Sequence, residues 1–309
     1  MLPTIQQIET KNLRWINVSR VTQEEMDWLE RKFHFHPLHL ADCLSPLQRP
    51  KLDVAPDYLF MVLLFPIYRR KTRKIISSEV DFFITSNLLV TVHHNELSPL
   101  INFFNLCQIS KSQQKKYLTG NPAVLLYELL NRLLGYCNPI LDNLNINVDT
   151  IEEHIFRGYE RRMVREILIA KRNIVNFRRI MEVHHSIISK LVTKSERFFS
   201  PGQLKIYFKE IIEQTGDIWS QLENMTRGID SIERTNNSLI SFRLNDIMKI
   251  LAIISVTILP ITLIVSIFGM NLKFMPKIAQ EPYAWHIILA LIAIIIFSMI
   301  ALFKKKKWL

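Results

Sequence analysis

The sequence predicts an α+β cytosolic domain followed by a long helical stalk and two transmembrane helices, and three observations predict it. Short β-branched and aromatic runs alternate with helical segments up to about residue 145. An apolar heptad then recurs from Ile211 to Leu239, in a stretch with no proline between Gly202 and Pro260. Near the C-terminal end stand two uncharged runs, each long enough to cross the roughly 30 Å hydrocarbon core of a bilayer. The 309 residues carry a net charge of +11 and are 49% hydrophobic, an apolar excess that comes from the C-terminal part. The expected organisation is a cytosolic α/β domain at 1–145, a helical region with the stalk at 146–246, a first span at 247–268, an external loop at 269–284, a second span at 285–303 and a basic tail at 304–309.

In the first region Leu13–Val18, Tyr58–Tyr68 and Val80–Val92 read as strands, and Gln23–Phe33 and Ala123–Asn143 as helices. The proline-containing stretches QRPKLDVAPD and TGNP read as loops. The strand–helix alternations are too few for a nucleotide-binding sheet, and neither G-x-G-x-x-G nor a P-loop occurs among only 7 glycines. With no nucleophile–base set either, an enzyme is not expected. His34, His36 and His39 in FHFHPLH lie across a proline-broken segment and read as structural; the pairs His93-His94 and His184-His185 diverge on a strand or helix and are assigned no ligand role. Cys43, Cys107 and Cys137 are isolated and read as packing residues on the reducing side of the membrane.

From about Asn147 onward the pattern is helical, with one strong break at Ser200-Pro201-Gly202. The run from Arg157 to Arg179 holds about eight Lys and Arg against two Glu and reads as a solvated helix face, with no nucleic-acid partner expected. After the break, Ile211, Ile218, Met225, Ile232 and Leu239 recur at seven, with Leu222 and Ile229 between them and Thr215 and Asn236 at the remaining positions. Such a seam wants a neighbouring helix and is a reason to expect oligomers. One continuous helix from Gly202 to Phe268 would be a rod of roughly 100 Å at about 1.5 Å per residue.

Apart from Thr257 and Pro260, which point elsewhere, the polar residues of the first span share a side. At about 100° per residue, Asn245, Met248, Ala252, Ser255, Leu259, Thr262 and Ser266 fall within an arc of about 100°. Ser and Thr in membranes also bond their own i−4 carbonyls or help helices pack, which is the plainer reading. Lining an aqueous path is the other; two spans cannot enclose a pore, so that reading needs several copies around an axis.

Several motifs now align. Gly269-Met270-Asn271 stands at the outer end of the first of two C-terminal spans, Met275-Pro276 follows, and the chain ends FKKKKWL. WINV at Trp15–Val18, HPLHLAD at His36–Asp42, QRPKL at Gln48–Leu52, LLVTVHH at Leu88–His94 and NDIMK at Asn245–Lys249 accompany them. In these features, over most of its length, the chain resembles the CorA magnesium channels. The resemblance implies a funnel-shaped homopentamer in the cell (inner) membrane, taking up Mg²⁺ and possible relatives such as Co²⁺ and Ni²⁺. Asn271 would form the ring at the outer mouth, within a Gly269-Met270-Asn271 filter. Asn245, Met248, Leu251, Leu259 and Thr262 would line the conduit, joined by Ser255 and Ser266 of the same arc. Gly269 is expected to turn the backbone at the helix end, as a C-cap glycine does. In the family, acidic sites between subunits sense cytosolic Mg²⁺; Asp230 and Glu233 are candidates for that role, though no motif marks them.

The chain departs from the family pattern in the loop. Where such loops often read M-P-E-L, this one reads Met275-Pro276-Lys277-Ile278, with Lys273 also basic and Glu281 the acidic residue. Two lysines against one glutamate in every copy make the mouth formally positive, which opposes the concentration of divalent cations there. Phe268 stands where many members have Tyr. Transport of zinc or another divalent cation by the same fold is therefore the alternative, and a membrane-anchored coiled-coil interaction or signalling protein is an alternative of another class. No secretory signal precedes the first region, and Lys304 to Lys307 follow the second span directly, so both termini are expected in the cytoplasm.

Overall fold

The computed structural model describes residues 2–45, 48–118, 121–194, 198, 201–270, 283–306 and 308. It divides into two compact units, Met1–Arg234 and Thr235–Leu309.

The first unit is built on a sheet of β1 (Ile5–Glu9), β2 (Arg14–Val18), β3 (Lys51–Val54), β4 (Leu59–Arg69), β5 (Lys74–Ile84) and β6 (Leu88–His93). Their order across the sheet is β1-β2-β6-β5-β4-β3; β2 and β6 run parallel and every other neighbouring pair antiparallel. The central strands are covered on both faces, which is why LFMVLLF in β4 reads as an unbroken apolar run and why β5, apart from Asp81, is apolar from Val80 to Ile84. On one face, Ile16, Val18, Phe60, Val62, Phe83, Val90 and Val92 share a core with Met26 and Leu29 of α1 (Gln23–Phe33) and with Leu40 and Cys43 of α2 (Pro37–Leu44). On the other, Trp15 packs its ring 5.4 Å from Phe103 and 4.9 Å from Phe104 of α3 (Ser98–Ile109), and α4 (Lys111–Tyr117) and α5 (Pro122–Gly135) follow. The polar groups in that layer satisfy one another. Trp15 Nε1 donates to Thr91 Oγ1 at 3.2 Å, and Thr91 Oγ1 donates to Asn17 Oδ1 at 2.8 Å.

Next come α6 (Cys137–Phe156), α7 (Glu160–Met181) and α8 (His184–Lys194). α7 lies along the β4–β5 hairpin, where Asn173 Oδ1 accepts from the Ile75 amide at 3.1 Å while Asn173 Nδ2 donates to the Arg73 carbonyl at 3.0 Å. The basic run is thus not simply a solvated face: one side of α7 is core, with Ile167, Ile174 and Phe177 buried, and its arginines flank that core. α9 (Pro201–Gly269) is a single 69-residue helix, and α10 (Ala284–Lys305) is the last.

The expected helix at Gln23 begins as predicted, because Thr22 and Glu25 form a capping box. Four local expectations are corrected. Val80–Val92 is two strands, β5 and β6, separated at Thr85-Ser86-Asn87, where Thr85 Oγ1 accepts from the Asn87 and Leu88 amides at 3.3 and 3.0 Å. Within QRPKLDVAPD, Lys51–Val54 is an edge strand on β4; Lys51 and Asp53 are charges that suit an exposed edge, and the flanking prolines hid it. Ala123–Asn143 is divided at Tyr136 into α5 and α6, close to Pro139, whose missing N–H suits the first turn of the second helix. A break stronger than expected separates α6 from α7, at Gly158 with φ 95°.

The heptad is buried inside one chain. Ile211, Leu222 and Ile229 are fully enclosed, and Thr215, Ile218, Met225, Ile232 and Asn236 are buried with them, whereas Leu239 is half-buried. Side chains beside the seam bind α5 and α7: Tyr127 Oη donates to Glu210 at 2.7 Å, Gln214 Nε2 to Asn131 at 2.9 Å, and the Arg178 guanidinium lies 5.8 Å from the Trp219 ring. The neighbour the seam required is the same chain, so the seam gives no reason of its own to expect oligomers.

Candidate functional site on the polar face of the first apolar helix

Along the second unit's part of α9 the helix has one shielded stripe. Ile253, Thr257, Pro260, Ile261 and Ile264 are half-buried, and α10 has a matching stripe at Ile288, Ile292, Ile295, Ile296 and Met299. The candidate arc lies elsewhere. Asn245, Ser255, Thr262 and Ser266 are exposed, as are Met248 at 64%, Leu251 at 53% and Leu259 at 68%; Ala252 alone of the arc is half-buried. At about 100° per residue the arc and the shielded stripe fall on nearly opposite sides of the helix. The rest of both helices is also bare and almost wholly apolar, with no more than 6% of either hydrophobic window buried. Two helices of that length and composition meet the requirement for crossing a bilayer, and apolar surface on that scale does not stay in water.

The threonines make the bond the plainer reading expects. Thr262 Oγ1 donates to the Ile258 carbonyl at 2.9 Å and Thr257 Oγ1 to the Ile253 carbonyl at 2.7 Å. A hydroxyl that donates inward keeps its lone pairs for a water molecule, so this bond is compatible with either role. Pro260 supplies no N–H to the Val256 carbonyl and stands within the shielded stripe.

The outer end differs from expectation at Gly269. It closes α9, and the Met270 amide reaches back to the Ile267 carbonyl at 3.4 Å, yet Gly269 does not take a left-handed φ. A Cβ built there meets nothing within 4 Å among the described residues. Among them, neither conformation nor space demands glycine. Asn271, Lys273, Lys277 and Glu281 lie outside the described residues.

Asp230 and Glu233, one turn apart on α9, come together on a cation of their own chain. Lys171 Nζ of α7 is 2.8 Å from Asp230 and 2.6 Å from Glu233, and these bonds raise the ammonium above its ordinary pKa. A divalent ion held by both carboxylates would have to displace Lys171. Sequence reasoning missed this partner, although acids three apart beside a seam, facing a basic run that needs cover, were the available signal. Two of the three histidines of FHFHPLH are likewise committed. His36 Nδ1 caps α2 by accepting from the Leu38 amide at 3.2 Å, and His39 Nδ1 bonds Tyr58 Oη at 2.8 Å, with burial lowering its pKa against the pull of Asp53. Among the described residues no three His, Cys, Asp or Glu side chains converge on a common point.

Comparison with known proteins places this architecture. The family model described as CorA-like Mg²⁺ transporter protein matches residues 10–305. The cobalt/magnesium transport protein CorA of Thermotoga maritima is 26% identical over 297 residues, covering 96% of this chain and 83% of that protein. The protein of the same description from Methanocaldococcus jannaschii is 24% identical over 316 residues, covering 99% and 95%. The complete structure of the CorA magnesium transporter from Methanocaldococcus jannaschii superposes with a TM-score of 0.84 at 22% identity, over 98% of this chain and 93% of that one, and so shares its fold. With the model matching nearly the whole length, from just before β2 to the end of the second apolar helix, the chain belongs to the CorA-like Mg²⁺ transporter family.

Proposed function

We propose that five copies of this chain surround a path for divalent cations, Mg²⁺ foremost, across the inner membrane. Asn245, Met248, Ser255, Leu259, Thr262 and Ser266 of the arc, with Leu251 at its edge, face the axis in each copy, and Asn271 forms a ring at the outer mouth. The observation that carries this reading is the polar arc lying bare on the side of α9 opposite its shielded stripe. A helix that needed Ser255, Thr262 and Ser266 only for packing against α10 would turn them toward that stripe. Lys304 to Lys307 after the second span put both ends of the membrane part on the cytosolic side. Gly269 fits the same picture: glycine allows close approach of neighbouring copies at the mouth, where the described residues leave open space.

The chemistry suits Mg²⁺. This ion dehydrates reluctantly and demands near-octahedral geometry, so a filter that stripped its water would conduct slowly. A ring of neutral amide oxygens accepts hydrogen bonds from the ion's water shell and holds it without a net charge that would retain it. Below the ring, Met248, Leu251 and Leu259 are apolar and close the path by dewetting when they approach one another. Lys273 and Lys277 supply the observation behind a second reading, transport of zinc or another divalent cation, since a positive mouth lowers the local concentration of any weakly held cation. The coiled-coil tether loses its motive, because the heptad is covered by α5 and α7 of its own chain.

The test is uptake of Mg²⁺, Co²⁺, Ni²⁺ and Zn²⁺ into liposomes by the wild-type chain and by Asn271→Ala. The variant is expected to retain its native mass and lose uptake at least tenfold. Normal uptake would remove Asn271 from the filter, and a wild-type preference for Zn²⁺ over Mg²⁺ would select the second reading.

A further inference from the structure

The end of the second unit away from the 269–284 loop carries charge that its own side chains do not answer. Outside that loop, the basic residues from Thr235 to Leu309 are Arg243, Lys249 and Lys304 to Lys307, and Asp246 is the one acidic side chain. Because the loop joins the two apolar runs at their far ends, all of these charges lie at one end of the pair of spans. Lys304, Lys305 and Lys306 are exposed, and among the described residues no carboxylate pairs with them. A lysine run is ordinarily a solvated face with acids interspersed; here six cations stand against one anion, directly beside membrane-length apolar helices.

These lysines do not trail from the helix. α10 runs through Lys305, and the Lys306 amide donates to the Leu302 carbonyl at 3.0 Å. The Trp308 amide then donates to the Phe303 carbonyl at 2.9 Å, which turns the tail back and lays the Trp308 ring along Phe303, centroids 6.1 Å apart and planes at 7°. Lys306 Nζ stands 5.7 Å from that indole. Phe303 is buried and follows Met299 by one turn, so it continues the shielded stripe of α10. At about 100° per residue, Lys304, Lys305 and Lys306 fan across the sides of the helix that the stripe leaves bare. At about 1.5 Å per residue, all three begin within roughly 5 Å of the last apolar turn.

We propose that Lys304, Lys305 and Lys306 hold the phosphates of anionic lipid headgroups in the leaflet at that end, with Trp308 at headgroup level as an aromatic anchor. A lysine stem lies along apolar surface while its ammonium reaches out to the phosphate plane, and an indole, apolar in body with a polar N–H, favours the membrane–water interface. Basic clusters next to a spanning helix are drawn to anionic lipid, by a field that fades within a Debye length of about 8 Å at physiological salt. The headgroups lie inside that range. The occupant is lipid rather than a free phosphate because the last apolar turn fixes the lysines at headgroup depth, on bare sides of the helix, and because Trp308 supplies the apolar part of an interfacial anchor. The inference rests on the membrane reading of the two apolar helices.

The experiment uses the full wild-type chain in nanodiscs and a water-soluble amine-acylating reagent, with modification of each lysine read by peptide mass against a free lysine peptide in the same sample. Incorporation into discs at native mass tests the spans; the labelling rates test the tail. In discs containing phosphatidylglycerol we expect Lys304, Lys305 and Lys306 to be acylated at least threefold more slowly than in phosphatidylcholine alone. A second measurement compares spin-labelled phosphatidylglycerol with spin-labelled phosphatidylcholine at the protein's perimeter. The wild-type chain and the combined Lys304→Arg, Lys305→Arg and Lys306→Arg variant are expected to prefer phosphatidylglycerol at least twofold, and combined Lys304→Gln, Lys305→Gln and Lys306→Gln to lose most of that preference. Equal labelling rates in the two lipids would overturn the proposal, since water or the protein's own carboxylates would then surround the lysines. Equal protection in phosphatidylcholine discs by added inorganic phosphate would overturn it in favour of a soluble anion. So would a preference unchanged in the Gln variant, which would belong to the other basic residues of the unit.

Discussion

His184 sits fully buried at the start of α8, its ring 5.3 Å from Phe65 and edge-on to it. Burial holds its pKa down at about 4, with the Ile180 and Leu64 carbonyls pulling weakly the other way, and burial does the same to His93, also at about 4. Both are neutral in the folded chain and would protonate near the ordinary 6.5 once unfolded. Their contribution to stability is therefore complete above the ordinary histidine pKa and is lost as pH falls from there toward 4, by up to about 3 kcal/mol each. His184→Leu is expected to flatten the stability–pH profile of the first unit between pH 6.5 and 4 by about half, measured by thermal unfolding of the full chain; an unchanged slope would mean that the imidazole is solvated. Asp81 acts with the opposite sign: burial and the Glu79 carboxyl beside it push its pKa well up, so its contribution is present at low pH and fades as pH rises. None of this was legible in the sequence, where His184 and Asp81 look like any other polar residue; only the layer into which each strand or helix turns them makes them costly to ionise.

For the elements, legibility followed periodicity. The helix at Gln23, the long unbroken α9 and the two apolar runs all have a strong period or length, and the structure contains them. β3 was hidden because prolines bracket it and its alternation is only four residues long. The heptad illustrates a deeper limit. A repeat of seven states that a stripe needs cover, and does not state whose side chains provide it. Here α5 and α7 do, through Tyr127, Asn131 and Arg178. Ile229→Ala, at a fully buried seam position, is expected to cost about 2–4 kcal/mol, the range for a large-to-small change in a packed core. Because the seam closes within the chain, that loss should be the same at low and high protein concentration in thermal unfolding; a concentration-dependent loss would return the seam to an interface between copies.

At the level of the whole molecule, the first unit supplies a covered sheet and the base of a helix that continues without interruption into an apolar segment. The polar arc of that segment was legible because helical geometry alone sorts its residues by face. What the sequence did not reveal is that the opposite face carries the shielded stripe, which depends on α10 and on three-dimensional packing. The central claim, that the arc lines a water-filled path for divalent cations, is tested most directly by thiol modification during Mg²⁺ uptake in proteoliposomes. Ser255 lies on the arc and is exposed; Thr257 lies in the shielded stripe and is half-buried. The account predicts that a membrane-impermeant, charged thiol reagent blocks uptake by Ser255→Cys by at least tenfold and leaves uptake by Thr257→Cys and by the wild-type chain unchanged. Uptake by Ser255→Cys that survives complete modification, or a block confined to Thr257→Cys, would contradict it.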